Sequence, residues 1–505
     1  MVSIRLVPLG KTLEVPRGTP LRNVLFEVGV EYPCGGRGEC RGCRVRLISG
    51  DLPATERQTH QLKPAEVDAG WRLSCQCRAD ADLTLELGRW NADVLVDQSS
   101  FEFKPREGHG IAIDLGTTTV VAQLLDLGSS DVLAVRSALN SQARHGADVM
   151  SRIGYAVEPG GLETLSGLIR SQIGKMIAGL IEDATDSSGK IPEVVEVAIV
   201  GNTAMAHLFA GIDAAPLSAY PFDPGPCRDL AFSQHDLGWE NLKGARIRFL
   251  PWMGGFVGSD VLAGMVATGL HTSERPTALV DLGTNGEIVV ASAGRFLCAS
   301  TAAGPAFEGA AIHQGMRAAT GAIYKVEATS SGVVCKVLGD GNPRGLCGSG
   351  LVDALAAGLE TGAIQPRGRF ADKSQEWPLL DPVVLTQTDI RQVQLAKGAI
   401  TAGLRILSAR AGLTLADLDR VHLAGAFGNT IDRESARRIG LLPFPSEQIH
   451  PVGNAALLGA KMALFGGEEL GRTLEAILSR CEHFSLSADP EFQDIYAEEM
   501  LFPEP

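Results

Sequence analysis

The sequence predicts a two-part chain: a small α+β module over residues 1–90 and a duplicated α/β module filling most of the rest. Three observations carry this. Cys34, Cys40 and Cys43 crowd one glycine-rich loop between alternating apolar runs. The string Asp-Leu-Gly-Thr occurs twice, at Asp114 and Asp281, about one domain length apart. Composition is that of ordinary globular proteins, with 45% hydrophobic and 21% charged residues among 505, which excludes disordered and fibrous chains.

Charge and hydropathy exclude further classes. The net charge of −14 argues against a nucleic-acid partner, which needs a basic footprint, and against docking on anionic lipid. The opening MVSIRLVPLG lacks the apolar region of a signal peptide, and no run of about 18 apolar residues offers a membrane span. The expected compartment is the cytoplasm, where ten cysteines are poor candidates for disulfides.

In the first module, Val2, Ile4 and Leu6 alternate as in a half-buried strand, and residues 12–15 read as its hairpin partner. Thr19-Pro20 reads as a helix cap and first turn, followed by Leu21, Val24, Leu25 and Val28 at helical spacing. Val45/Leu47 and Leu83/Leu85/Leu87 are further strands. The loop CGGRGECRGC, with Cys75 in WRLSCQC, places three thiolates close together and a fourth far away, as a [2Fe–2S] cluster requires. Gly35, Gly36, Gly38 and Gly42 let backbone N–H groups approach the sulfurs. A zinc site usually takes two C-x2–4-C pairs, a poorer match. Cys77 is an alternative fourth ligand, expected on the same strand face as Cys75. This module resembles the β-grasp ferredoxin-like fold.

Residues 91–107 show no sustained period and contain Lys-Pro, so they read as a short linker. The large module divides into lobes at 108–268 and 269–488, and residues 489–505 read as an acidic tail.

Each Asp-Leu-Gly-Thr ends one β-rich run and precedes another, so each Gly-Thr is expected at a hairpin tip. Such a turn exposes N–H groups and hydroxyls as an anion cradle, and an aspartate at the strand end can hold Mg²⁺. Two facing hairpins would grip one nucleotide's phosphates: Thr117 and Thr118 from the first, Gly283, Thr284 and Asn285 from the second, with Asp114 and Asp281 organising the metal. No G-x-x-x-x-G-K-[ST] occurs, which excludes a P-loop enzyme. HLAGAFGN (422–429) resembles the adenosine turn of the acetate and sugar kinase/Hsp70/actin superfamily, and implies Gly425, Ala426 and Gly428 against the adenosine. This duplicated RNase H-like, two-lobed ATPase is the fold expected. Glu308, in AAGPAFEGA, could order a water or a magnesium ion or simply begin a helix. Cys227, Cys298, Cys335, Cys347 and Cys481 read as core thiols, the first three and the last as isolated ones.

A ferredoxin fused to such an ATPase, together with IDLGTTTV, VGNTAMAHLFAG, PWMGGFVGSD, LCGSGLVDAL, HLAGAFGNTIDRESARRIGLLP and VGNAALLGA, resembles the reductive activators of corrinoid-dependent methyltransferases over nearly the whole chain. The resemblance implies an ATP-dependent activase that uses a [2Fe–2S] cluster, ATP and Mg²⁺ to return Co(II) cobalamin to Co(I). It implies a corrinoid-binding methyltransferase subunit as partner, an upstream ferredoxin or flavoprotein reductase as electron donor, and a homodimer. Residues 91–107 are too short for the linker domain some members carry, and the single cysteine beyond Cys347 excludes the subtype with C-terminal cluster motifs. The same architecture suits an activator of a non-corrinoid enzyme, a redox-sensing small-molecule kinase, or a non-enzymatic redox sensor.

Overall fold

The structure is a computed structural model. It describes residues 1–7, 11–26, 28, 30, 38, 43–87, 101–185, 189, 191–227, 229–309, 311–330, 332–339, 341–425, 427–428 and 430–504. Cys34, Cys40, Ala426 and residues 91–100 of the linker therefore lie outside the described residues.

The first module is a five-stranded mixed sheet ordered Lys11–Val15, Val2–Val7, Leu83–Leu87, Arg44–Ser49, Trp71–Leu73. Its centre is a parallel pair, Ile4 opposite Leu83 and Leu6 opposite Leu85. Alternation turns Ile4, Leu6, Val45 and Leu85 to one core with Leu21 and Leu25 of the helix Leu21–Phe26. Each such side chain contributes roughly 1.5–3 kcal/mol on burial. The helix begins later than the sequence suggests. Thr19 and Pro20 pair with Ala79 and Arg78 as a short antiparallel ladder, so that cap is not formed, and Val28 lies past the helix end.

The two lobes repeat one topology. In the first, the hairpin His109–Leu115/Thr119–Asp126 is flanked by Val132–Leu139 on one side and by parallel Val194–Gly201 and Arg246–Phe249 on the other. In the second, Thr277–Leu282/Gly286–Ser292 is flanked by Arg295–Thr301 and by parallel Arg420–Ala424 and Ile449–Gly453. Each sheet adds one short strand at an edge, Leu230–Phe232 and Cys481–His483. The parallel strands are near-continuous apolar runs because both faces are covered.

Helices Ser259–Ala267 and Ala455–Phe465 pack together between the lobes, and residues from both sheets join one core around them. The approach is close because the contact residues are small. A Cβ on Gly459 would stand 2.2 Å from the Ala263 carbonyl oxygen.

Residues 489–505, separated as an acidic tail on charge alone, are instead part of the second lobe through residue 504. Helix Phe492–Glu499 docks on the long helix Gln387–Arg410. Its acids find partners there: Glu498 and Glu499 pair with Arg405, and Asp489 with Arg410. Lys397, almost fully buried, donates to the carbonyls of Glu499 and Leu501, and Phe502 is buried. The described end of the linker is also packed: Phe101 and Phe103 meet Phe465 edge-on or tilted, at 5.4 and 4.9 Å. Among the described residues no helix is long and apolar enough to cross a membrane.

Candidate functional site: a two-lobed phosphate cleft and a thiolate turn

Both Asp-Leu-Gly-Thr strings form hairpin tips, and the lobes bring the tips together. Thr118 Oγ1 lies 3.0 Å from Thr284 Oγ1, and Thr284 Oγ1 donates to Glu308 Oε1 at 2.9 Å. A hydroxyl has one proton to give, so the chain runs Thr118 to Thr284 to Glu308. The turns are tight: Gly116 N–H donates to the Thr119 carbonyl at 3.1 Å, and Gly283 N–H to the Asn285 carbonyl at 3.0 Å.

Two asparagines hold this arrangement in the same way. Asn202 caps helix Thr203–Ala210, its Oδ1 accepting from Met205 N–H, while its Nδ2 donates to Thr117 Oγ1 at 2.8 Å. Asn454 caps helix Ala455–Phe465, its Oδ1 accepting from Leu457 N–H, while its Nδ2 donates to Asp114 Oδ2 at 2.8 Å. Each ends a strand in the string Val-Gly-Asn, at 200–202 and 452–454. The sequence alone reads Asn202 as a helix cap, as found, but places neither asparagine at the phosphate turns; the Val-Gly-Asn repeat is the signal for that.

Asp114 and Asp281 sit at the ends of the two first strands, enclosed by protein on most sides. Burial pushes the Asp114 carboxyl up to about 6 against the Asn454 hydrogen bond, and burial with the nearby Asp114 charge pushes Asp281 up to about 7. Two further acids join them. Asp260, in the first turn of helix Ser259–Ala267, is pushed up to about 8 by burial, then by Asp281 and Asp114. Glu287, opposite Asp281 in the hairpin, is raised well above the ordinary range by burial, Asp260 and Asp281. Asp260 and Glu287 were missed, although PWMGGFVGSD and the second repeat contain them.

Four carboxylates in one cleft, with no cation among the described residues acting on them, are a costly arrangement. A divalent cation relieves it. Among the described residues no three His, Cys, Asp or Glu side chains cage a metal by themselves.

The glycine turn after strand Arg420–Ala424 abuts this cleft. Gly425 has φ +90°, and a Cβ there would lie 2.6 Å from the Leu282 carbonyl and 2.8 Å from Asp281 Oδ1. At Gly428 a Cβ would meet the Ala424 carbonyl at 2.8 Å. The space a Cβ would need at these glycines is taken by the protein itself, which lets this turn pack close to the Asp281 hairpin. Phe307 and Phe427 stack beside them at 5.0 Å.

In the first module, Ser74 N–H and Oγ both donate to the Cys43 carbonyl, at 3.1 and 2.9 Å, clamping Cys43 to the turn Ser74–Gln76 that carries Cys75. This is a 3-10 turn, so Cys75 and Cys77 do not share a strand face. Cys75 is half-buried and receives Gln76 Nε2. Cys77 points into the core, taking Gln58 Nε2 and donating to the Leu73 carbonyl, both at 3.3 Å. Burial pushes its thiol up to about 11, an environment that disfavours a thiolate ligand. Gly38 (φ +75°) lies over the same turn, where a Cβ would stand 2.9 Å from Gln76.

The isolated core thiols need correction. Cys298 and Cys481, far apart in sequence, have sulfurs 3.5 Å apart between strand Arg295–Thr301 and the edge strand Cys481–His483, Cys227 is exposed, and Cys335 is half-buried.

Fold and site together define a ferredoxin-type iron–sulfur module joined to a two-lobed phosphate-binding module of the kinase and actin class. Residues 4–80 match the model of the 2Fe-2S iron-sulfur cluster binding domain, 109–273 that of the RACo middle region, and 275–505 that of the C-terminal domain of RACo, the ASKHA domain. The chain belongs to the family of corrinoid activation enzymes. It is 37% identical to the "Corrinoid activation enzyme RamQ" of Eubacterium limosum, over 81% of this chain and 72% of that protein. It is 27% identical to the "[Co(II) methylated amine-specific corrinoid protein] reductase" of Methanosarcina barkeri, over 78% and 77%. The solved structure of a "Reductive activator for corrinoid,iron-sulfur protein" superposes with TM-score 0.70 at 27% identity, covering 100% of this chain and 99% of that one.

Proposed function

We propose that this chain is an ATP-dependent reductive activator that delivers one electron to the Co(II) corrinoid of a methyltransferase system, regenerating Co(I) for methyl transfer. The observation that carries it is the meeting of the two Asp-Leu-Gly-Thr turns across the cleft at 3.0 Å, in a chain whose first module carries the cysteine loop.

Cys34, Cys40, Cys43 and Cys75 are the proposed ligands of a [2Fe–2S] cluster. When bound, such a cluster supplies one electron at about −400 mV, and cob(I)alamin is a stronger reductant still, so the transfer is uphill. A nucleotide that favours one arrangement of the lobes, and hence one docked state of the partner, can shift that equilibrium. Thr117, Thr118, Gly283, Thr284 and Asn285 would bind the phosphates. Asp114 and Asp281 would position Mg²⁺, with Asp260 and Glu287 adding negative field, and Glu308 would orient a water or a hydroxyl through Thr284. Gly425, Ala426 and Gly428 would border the adenosine. The electron donor is proposed to be a ferredoxin or flavoprotein reductase, the setting the cytoplasm, and the assembly a homodimer.

The test is anaerobic and optical. Reduced protein is mixed with a Co(II) corrinoid methyltransferase subunit, and the Co(I) band is followed with and without Mg-ATP. Co(I) accumulating only with Mg-ATP is expected. No Co(I) with several corrinoid partners, despite an intact cluster spectrum and ATP binding, would move the assignment to a non-corrinoid acceptor.

A further inference from the structure

The iron–sulfur module is seated on both lobes. On the first lobe, Leu139 is buried within the module's own core, Ala143 packs against it, and the Arg144 guanidinium lies 4.9 Å over the Phe26 ring. On the second lobe, Arg344 Nη2 donates to the Leu87 carbonyl at 3.3 Å. A rotation of one lobe against the other cannot preserve both attachments.

The first-lobe attachment is also a support of the first phosphate turn. Asn140 N–H donates to the Thr118 carbonyl at 2.9 Å, and its Nδ2 to the Gly116 carbonyl at 2.9 Å. Its Oδ1 accepts from Gln142 N–H at 3.0 Å, capping the short 3-10 turn Ser141–Arg144. Asn140 thus links turn 116–118 to the surface under Phe26. On the other side, helix Leu21–Phe26 packs on the turn Ser74–Gln76 that carries Cys75. The contacts are continuous from phosphate turn to thiolate turn.

The segment is also poorly satisfied where it stands. Ser141 Oγ and Gln142 Oε1, and Arg152 Nη2 in the helix that follows, are buried without a hydrogen-bond partner. An unsatisfied buried polar atom is destabilising. These atoms lie among hydrogen bonds that hold the segment, Ser141 N–H to Gln172 Oε1 at 2.8 Å and Gln142 Nε2 to the Leu165 carbonyl at 3.2 Å, so a shift of the segment can offer them new partners.

We propose that residues 139–145 couple the nucleotide to the iron–sulfur module, with Asn140 as the positioning residue: phosphate on turn 116–118 shifts the segment and loosens or tightens the seat of helix Leu21–Phe26. This rests on the nucleotide reading above. It makes the exposure of the cluster module to its redox partners a property of nucleotide state.

Hydrogen–deuterium exchange on the full-length, cluster-loaded protein under anaerobic conditions tests it, with Mg-AMPPNP as probe. Nucleotide is expected to protect residues 283–308 and to change exchange at both 139–145 and 21–26. The change at 21–26 should be about 5- to 150-fold, the span of ordinary allosteric couplings. Arg144→Gln should keep protection at 283–308 and lose the response at 21–26. Asn140→Asp keeps the cap to Gln142 but cannot donate to Gly116, and should lose the response at both segments, with the cluster absorption unchanged. Protection at 283–308 with no response at 21–26 in the unaltered protein would overturn the coupling and leave the nucleotide reading intact. A full response at 21–26 in both variants would overturn the role of this segment. Absence of protection at 283–308 would remove the nucleotide reading, and the coupling with it.

Discussion

Asn454 Nδ2 donates to Asp114 Oδ2 at 2.8 Å, across 340 residues of sequence and between the two lobes. Asn454 begins one of the two helices packed between the lobes, and Asp114 ends the first strand of the other lobe. The contact ties the carboxylate proposed for the metal to the element about which the lobes would move.

Asp281→Asn tests the cleft. It keeps the shape and removes the charge that would position Mg²⁺. ATP-dependent Co(I) formation should fall at least tenfold, which corresponds to about 1.4 kcal/mol, while the cluster spectrum stays intact. Full activity in that variant would reject the assignment of Asp281.

The carboxylate cluster makes stability depend on pH and on metal. Asp114, Asp281 and Asp260 lie at about 6, 7 and 8 in the folded chain, against an ordinary value of about 3.9. The folded state binds these protons more tightly, so the penalty for ionising them is absent below about pH 4 and complete above about pH 8. Stability without metal should fall as pH rises through that window. Mg-ADP should therefore raise the melting temperature more at about pH 8 than at about pH 6, with proton release on binding visible by calorimetry. An equal shift at both would show that no carboxylate ionises on binding.

The two cysteines of the Cys75 turn should behave oppositely. Cys75→Ser should lose or strongly alter the [2Fe–2S] absorption. Cys77→Ser should retain it and cost about 1–2 kcal/mol of stability by placing a shorter, more polar side chain at a buried core position. A Cys77 variant that loses the cluster while Cys75→Ser keeps it would reverse the ligand assignment.

Gly459→Val adds carbon where a Cβ already stands 2.2 Å from the Ala263 carbonyl. Overpacking at this helix contact should cost about 1–3 kcal/mol and lower ATP-dependent activation more than nucleotide affinity. A melting temperature and activity equal to the parent's would show that the helices part freely.

Removing residues 489–505 should destabilise the second lobe rather than trim a tail. The deletion exposes the side of helix Gln387–Arg410 around Lys397 and strips Arg405 and Arg410 of their carboxylates. Far-UV circular dichroism during thermal melting checks it; an unchanged melting temperature would restore the tail reading.

The sequence by itself determined what local chemistry determines. The alternation of Val2, Ile4 and Leu6 and the two Asp-Leu-Gly-Thr hairpins each depend on residues a few positions apart, and backbone geometry converts such spacing directly into structure. Only the tertiary structure decided the rest. Asp260 became a partner of Asp114 and Asp281 because two sheets share one pair of packed helices, and no periodicity encodes that meeting, whereas Glu287 stands opposite Asp281 through hairpin register alone. Cys77 turned into the core, apart from Cys75, because a 3-10 turn interrupted the strand. The acidic residues near the C-terminus became part of a core because Arg405, Arg410 and Lys397 wait on a helix about a hundred residues earlier. Their charge alone read as solvated, since the pairing that offsets it is long-range.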